Sequence, residues 1–218
     1  MKVIDPEYRI TTHGGAVFGM KLIEKVGRTC YKSEDKITDD SYINFIKRLV
    51  ARKHEAILEH CSATVTLRVD RGVSHELVRH RIASYAQEST RYCNYKNQDI
   101  EFVRPSSVTG QGYDAWLLAM SLAETAYKSM QDEGCTPQQA RAVLPNSLAT
   151  TINITANMRE WRTIFKLRCA KDAHPDMRYV MLKVLDNMHC LYPPVFEDLH
   201  EQYKPDIRAL NFGEEVHD

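Results

Sequence analysis

The chain has 218 residues, 43% of them hydrophobic and 27% charged, the balance of a soluble globular protein with enough bulk to bury a real core. Its 29 Lys and Arg residues cancel 29 Asp and Glu residues, and a net charge of zero argues against a nucleic-acid coat or a polybasic membrane binder. No apolar run approaches the ~20 residues that span a bilayer, and the start MKVIDPEYRI has no apolar signal core, so a cytoplasmic protein is expected.

In chain order, Tyr42, Ile43, Ile46, Leu49 and Val50 form an apolar stripe at helical spacing, which predicts a helix over 40–53. The period then switches to two. Ala63, Val65, Leu67 and Val69 alternate with Ser62, Thr64, Thr66 and Arg68, the pattern of a half-buried strand over 61–69. Arg71-Gly72 supplies a turn, and Ser74 is the expected N-cap of a helix running to Arg81. Residues 101–104 read as a short strand ended by Pro105.

Further along, Trp116, Leu117, Met120, Ala123, Tyr127 and Met130 share one face of a helix over 115–132, with Gly134 to end it. Thr136 caps, and Pro137 opens, a helix to about Leu144. A β-branched stretch predicts a strand over 148–155, and helical spacing returns over 157–168. A helix over 176–192 is expected to stop at Pro193-Pro194, and the polar segment from about Glu201 is expected to be a loosely packed tail. There is no internal repeat and no linker-like segment. The elements therefore predict one α+β domain over 1–218, its sheet made of the 61–69, 101–104 and 148–155 strands packed with helices.

The six cysteines, Cys30, Cys61, Cys93, Cys135, Cys169 and Cys190, are scattered, with no C-x-x-C pair. They read as free thiols that mostly fill the core. His54 and His60 are the closest-spaced metal-ligand types and have no thiol pair nearby, so no metal is expected.

Polar chemistry concentrates in three places. The segment 79–92, RHRIASYAQESTRY, carries three arginines, a histidine, two serines and a glutamine with only Glu88 as counter-charge. Its guanidinium groups suit phosphate or carboxylate oxygens, and Gln87, Ser89 and Tyr92 suit a base or sugar. Read blandly, the segment is a solvated helix end. A second cluster holds Arg141, alone in an apolar helical turn, then Asn157, Arg159, Arg162, Lys166 and Arg168; cross-helix ion pairing is the structural alternative there. The third is His54-Glu55-Ala56-Ile57-Leu58-Glu59-His60, whose histidines and acids also suit packing and capping.

Arg79-His80-Arg81 followed by seven residues and Ser89 resembles the RHRx7S signature of the flavin-dependent thymidylate synthase (ThyX) family. The resemblance extends in order through the 54–60 segment, Ala140-Arg141-Ala142-Val143-Leu144-Pro145, Asn157-Met158-Arg159 and Leu167-Arg168. The chain departs from the family pattern at Ala56, where Thr or Ser is common, and at Asp172, where His is common.

The resemblance implies the ThyX-like α+β fold with a mixed or antiparallel sheet, and the conversion of dUMP to dTMP. Methylenetetrahydrofolate would donate the carbon, and NADPH the electrons through FAD. It implies FAD contacts from His54, Ala56, Arg79, His80, Arg81, Ile82, Gln87, Asn157, Arg159 and Thr163. It implies dUMP contacts from Glu76, Arg79, Gln87, Glu88, Ser89, Thr90, Arg91, Arg141 and Arg168, with Arg168 as the catalytic group that polarises the uracil. A homotetramer with shared sites is also implied, with no nucleic-acid or membrane partner. The rival readings are a hydroxymethylase using the same folate and flavin, and a non-catalytic nucleotide- or RNA-binding module that stacks bases on Tyr85, Tyr92 and Tyr95.

Overall fold

The alternation over 61–69 does form a strand. In the computed structural model, which describes residues 1–214 and their side chains through residue 210, β3 spans Ser62–Asp70 and buries Ala63, Val65, Leu67 and Val69. Its outward side chains pair with those of β6 (Ala149–Asn157): Thr64 and Thr155 hydroxyls lie 2.7 Å apart, and Thr66 donates to Asn153 at 2.7 Å. With β2 (Glu7–Thr12) and β4 (Ala83–Gln87) they make a four-stranded antiparallel sheet in the order β2-β3-β6-β4.

The sheet differs from expectation at β5 (Glu101–Val103). It leaves the main sheet and pairs in parallel with β1 (Lys2–Ile4), Phe102 opposite Val3, touching Leu148 only through an isolated antiparallel bridge. Ion pairs fasten this small sheet: Lys2 to Glu101 at 2.8 Å, and the N-terminal ammonium to Asp99 at 2.9 Å and Glu124 at 2.7 Å. The strand over 101–104 was expected, but the three-residue β1 carries too little periodicity to read in advance.

The helices are α1 (Ala16–Thr29), α2 (Ser41–Ala51), α3 (Arg71–Leu77), α4 (Gly110–Asp132), α5 (Pro137–Ala140), α6 (Met158–Arg168), α7 (Pro175–Leu191) and α8 (Pro193–Glu214). Helix α1 was not expected, because Gly19 and Gly27 interrupt its pattern. Gly27 serves close approach: a Cβ there would come within 2.7 Å of the Phe45 ring on α2. The N-cap of α3 is Asp70, whose Oδ1 accepts from the Val73 amide at 2.8 Å; Ser74, the expected cap, is buried inside the helix. Helix α3 ends at Leu77, four residues before Arg81, and the chain turns into β4, so the arginine-rich segment is a connection and a strand rather than a helix end.

Pro193-Pro194 opens α8 instead of leaving the chain unstructured. Proline fits a first turn, where its missing N–H is an orphan in any case. The expected loose tail is therefore corrected as far as residue 210: Tyr203 and Ile207 are buried, and Asp206 pairs with Arg178 at 2.8 Å. The last four residues of that tail lie outside the described residues.

Contacts divide the chain into two compact units. The first comprises 1–8, 66–79 and 85–153, and its core gathers Tyr95, Ile100, Phe102, Met120, Tyr127, Ala140 and Leu148. The second comprises 9–65, 80–84 and the chain from 154. Its core centres on Trp161, Phe165 and Phe196, with ring centroids 5.8 and 5.5 Å apart in succession, and Trp161 Nε1 donates to the Ala63 carbonyl at 3.1 Å. Among the described residues no helix is long and apolar enough to cross a membrane.

Candidate active site

In the first unit, β4 delivers Gln87 and the turn after it carries Glu88 to Arg91. The Gln87 amide donates to Ser74 Oγ at 2.8 Å and Thr150 Oγ1 at 3.2 Å, which fixes the side chain. Glu88 is engaged throughout. Its carboxylate accepts from Arg68 Nη1 at 3.0 Å, Tyr95 OH at 2.6 Å and the Thr151 amide at 3.3 Å, while its own amide donates to the Thr151 carbonyl at 2.9 Å. Arg68 in turn donates to Glu101 Oε2 at 2.6 Å. Glu88 thus anchors the loop that follows it, a role that the chemistry of its neighbours sets and that sequence reading alone missed. Burial, with Glu88 alongside, pushes the Tyr95 hydroxyl well above the usual phenol range, so it stays a donor.

The loop beyond that anchor is more open. The Ser89 carbonyl accepts from the Tyr92 and Cys93 amides at 3.1 and 2.9 Å, a tight turn that orients the Ser89 side chain. Arg91 donates to Gln138 at 2.9 Å and meets no carboxylate among the described residues. Arg141 is exposed, in a 3-10 turn (Arg141–Val143), and donates to the buried Thr90 hydroxyl at 3.4 Å. Arg79 is exposed and forms no ion pair among the described residues; Glu76 lies one turn before it, its carbonyl accepting from the Arg79 amide at 3.3 Å. Gln87 to Arg91 and Arg141 are thus gathered on one unit with at least two guanidinium groups presented to solvent.

The second unit holds the other set. His80 is buried, and its Nε2 accepts from Arg168 Nε at 3.0 Å. Burial, reinforced by the Arg168 charge, lowers the His80 pKa to about 4, so the ring is neutral at physiological pH. On its other side, Nδ1 lies 3.4 Å from Glu160, whose carboxyl burial pushes above the usual range. Asn157 is the N-cap of α6 and accepts from the Glu160 amide at 2.8 Å. Arg159 is half-exposed and pairs with Glu59 at 2.6 Å, while Thr163 donates back to the Arg159 carbonyl. Arg81 and Ile82 are exposed, and Arg81 makes no ion pair among the described residues. His54 and Ala56 are exposed around a 3-10 turn (Glu55–His60). A groove of about 900 Å³ in the same unit reaches Arg159. Of its other cations, Lys47 meets Glu197 at 2.7 Å and Lys166 meets Glu55 at 3.3 Å.

The neutral buried His80 gives a stability signature. An unfolded histidine binds its proton near pH 6.5, but the folded one not until about pH 4. The native state is therefore favoured above pH 6.5 and progressively loses that advantage as pH falls toward 4, at up to ~1.4 kcal/mol per pH unit. Urea unfolding between pH 7.5 and 4.5 is expected to show a shallower loss for His80→Gln than for the wild type; parallel curves would contradict the assignment.

Two cysteines adjoin these clusters. Cys169, next to Arg168, is wholly buried, and that burial pushes its thiol far up. Cys93 is half-buried against the Tyr95–Tyr127 core. Cys93→Ala and Cys169→Ala, singly and together, are expected to keep turnover within about tenfold, which allows ~1.4 kcal/mol for disturbed packing. A loss of several orders of magnitude at normal flavin content, or a nucleotide adduct on either sulfur, would show thiolate catalysis instead. Among the described residues no group of three or more His, Cys, Asp or Glu could hold a metal ion.

The first cluster presents exposed guanidinium groups and the second sets a guanidinium beside a neutral histidine, donors that suit anionic ligands. The chain belongs to the family described as thymidylate synthase complementing protein, matching it over residues 18–194. It is 34% identical over 180 residues to the flavin-dependent thymidylate synthase of Geobacter sulfurreducens, covering 78% of each chain. It is 32% identical over 235 residues to that of Mycolicibacterium gilvum, covering 97% of this chain and 88% of the other. The fold is similar to that of a UMP/dUMP methylase, PolB from Streptomyces cacaoi, solved with 5-Br dUMP, at a TM-score of 0.75 and 22% identity over 90% of this chain and 96% of that one.

Proposed function

We propose that the chain is a flavin-dependent thymidylate synthase. It methylates dUMP to dTMP, with methylenetetrahydrofolate as carbon donor and NADPH as reductant through FAD. The observation that carries this reading is a group of exposed motif arginines within a chain of the family. Arg79, Arg81, Arg91 and Arg141 meet no carboxylate among the described residues, while Arg159 pairs with Glu59 at 2.6 Å. Unpaired guanidinium groups on a neutral chain suit the phosphates of a nucleotide and a dinucleotide and the carboxylates of a folate.

FAD, when bound, supplies the electrons that complete the transferred methyl group. The donor set fits it: Arg81 and Arg159 offer charge to a diphosphate, and a neutral His80 adds no further positive charge beside them. Arg91 and Arg141, with Ser89 and Thr90, hold the dUMP phosphate and sugar. Arg79 and Glu76 act at the nucleotide side, Gln87 orients the loop, and Glu88 supports it from behind. Arg168 stabilises negative charge on the uracil as its C5 becomes nucleophilic. Ser89 positions rather than attacks, because no base adjoins its hydroxyl among the described residues. His54, Ala56, Ile82, Asn157 and Thr163 complete the flavin side.

A homotetramer with shared sites belongs to this reading. It is supported by Ile82, Tyr92 and Leu167, large apolar side chains that are 70%, 79% and 56% exposed beside proposed contact residues. Sedimentation of FAD-loaded protein as a stable monomer would overturn it. The decisive assay supplies dUMP, methylenetetrahydrofolate and NADPH and weighs the product. A methyl adduct at C5 is expected. A hydroxymethyl product would shift the reading to the related hydroxymethylase, and colourless protein without turnover would leave a binding module.

A further inference from the structure

We propose that Glu160 is a positioning residue that holds the His80 ring with its proton on Nδ1, and thereby sets the guanidinium plane of Arg168. The inference rests on the reading that Arg168 acts on the substrate, and it concerns a residue that the sequence motifs did not single out.

Arginine has donors only, so the 3.0 Å bond from Arg168 Nε requires His80 Nε2 to be the acceptor. In a neutral imidazole the proton must then sit on Nδ1, the nitrogen that faces Glu160 at 3.4 Å. Glu160 occupies the third position of α6 after its N-cap Asn157. A glutamate there ordinarily turns back to the N-cap amide to close a capping box. Here the Asn157 half of that box is made, at 2.8 Å, and the Glu160 carboxyl is directed to His80 instead. Both His80 and Glu160 are buried, at 6% and 7% exposure, so little water competes for the orientation. The result is a chain from carboxyl to imidazole to guanidinium that runs from the first turn of α6 to its last residue. A planar guanidinium tethered at Nε has its plane set by that bond, which orients its remaining donors.

The test reads the tautomer directly. Imidazole 15N resonances of FAD-loaded protein, with His80 assigned by its loss in His80→Gln, are expected to show Nδ1 protonated and Nε2 bare in the wild type. In Glu160→Leu the proton is expected to move to Nε2 in a substantial fraction of molecules. kcat should fall ~10- to 100-fold while dUMP KM and FAD content stay within about twofold. Glu160→Gln, whose amide oxygen still accepts, is expected to restore most of both.

A wild-type His80 protonated on Nε2 overturns the proposal without any variant, should Glu160→Leu fail to fold. So does an unchanged tautomer in a folded Glu160→Leu. A tautomer shift together with normal turnover of Arg168→Ala would uphold the Glu160–His80–Arg168 link and reject the catalytic reading of Arg168. An inactive Arg168→Ala together with an unchanged tautomer would do the reverse.

Discussion

Arg168→Ala is expected to lower kcat by about two to three orders of magnitude while FAD content stays within about threefold. One charge-assisted contact at a developing anion is worth ~3 kcal/mol or more, because the protein dipole is already in place when charge appears on the ring. The guanidinium contributes through its terminal donors, since Nε is bonded to His80. Arg168→Lys should recover only part of the loss. An ammonium keeps the charge but cannot hold His80 and a ligand in one plane. Steady-state kcat and dUMP KM, set beside flavin absorbance, separate this from a binding defect: near-normal turnover would remove Arg168 from the chemistry.

Arg162→Met should produce the largest loss of stability. Arg162 is 1% exposed and fully engaged: Nε donates to Glu55 at 3.0 Å, Nη1 and Nη2 to Asp198 at 2.7 Å each, and Nη1 also to the Val195 carbonyl. Burial pushes the Asp198 carboxyl up, but Arg162 outweighs it and holds the group below the usual carboxylate range. Removing the cation leaves acceptors on two elements without their donor, at a cost of about 3–5 kcal/mol. Asp198 keeps 49% of its side chain in water, which places the expected value toward the lower end. The melting temperature should drop on the order of 10 °C. Because Asp198 is depressed, the pair contributes fully above its unfolded pKa and fades as pH falls through the folded one. The gap between wild type and variant should therefore narrow in acid. A shift of under 2 °C at neutral pH would show that the network is dispensable.

The two arginines show which features a linear reading distinguishes. Both stand in the 157–168 helix that spacing predicts, six residues apart. Sequence pattern alone treated Arg162 as one of several charges on adjacent turns. Its burial follows from α8, whose first two turns supply Val195 and Asp198, and no helix was expected there, because Pro193-Pro194 was read only as the stop of the helix before it. The same local reasoning misplaced the cap of α3. Asp70 and Ser74 both have capping side chains, and only the point at which β3 releases the backbone decides which amides are orphaned.

By itself the sequence determined the α+β class, the alternating strand over 61–69, the long helix ending at Asp132, and the ordered arginine motifs that placed the chain in its family. These are local or short-range properties: side-chain period follows from backbone geometry, and a ligand loop is written in consecutive residues. Only the tertiary structure decided that β5 pairs with the N-terminal strand, that α8 packs through Tyr203 and Ile207, and that Glu88 anchors its loop through Arg68 and Tyr95. It alone joined Arg168 to a neutral His80 backed by Glu160. Each of these rests on partners up to about a hundred residues apart, whose pairing depends on which groups lose water together, and desolvation is a property of the packed chain rather than of any segment.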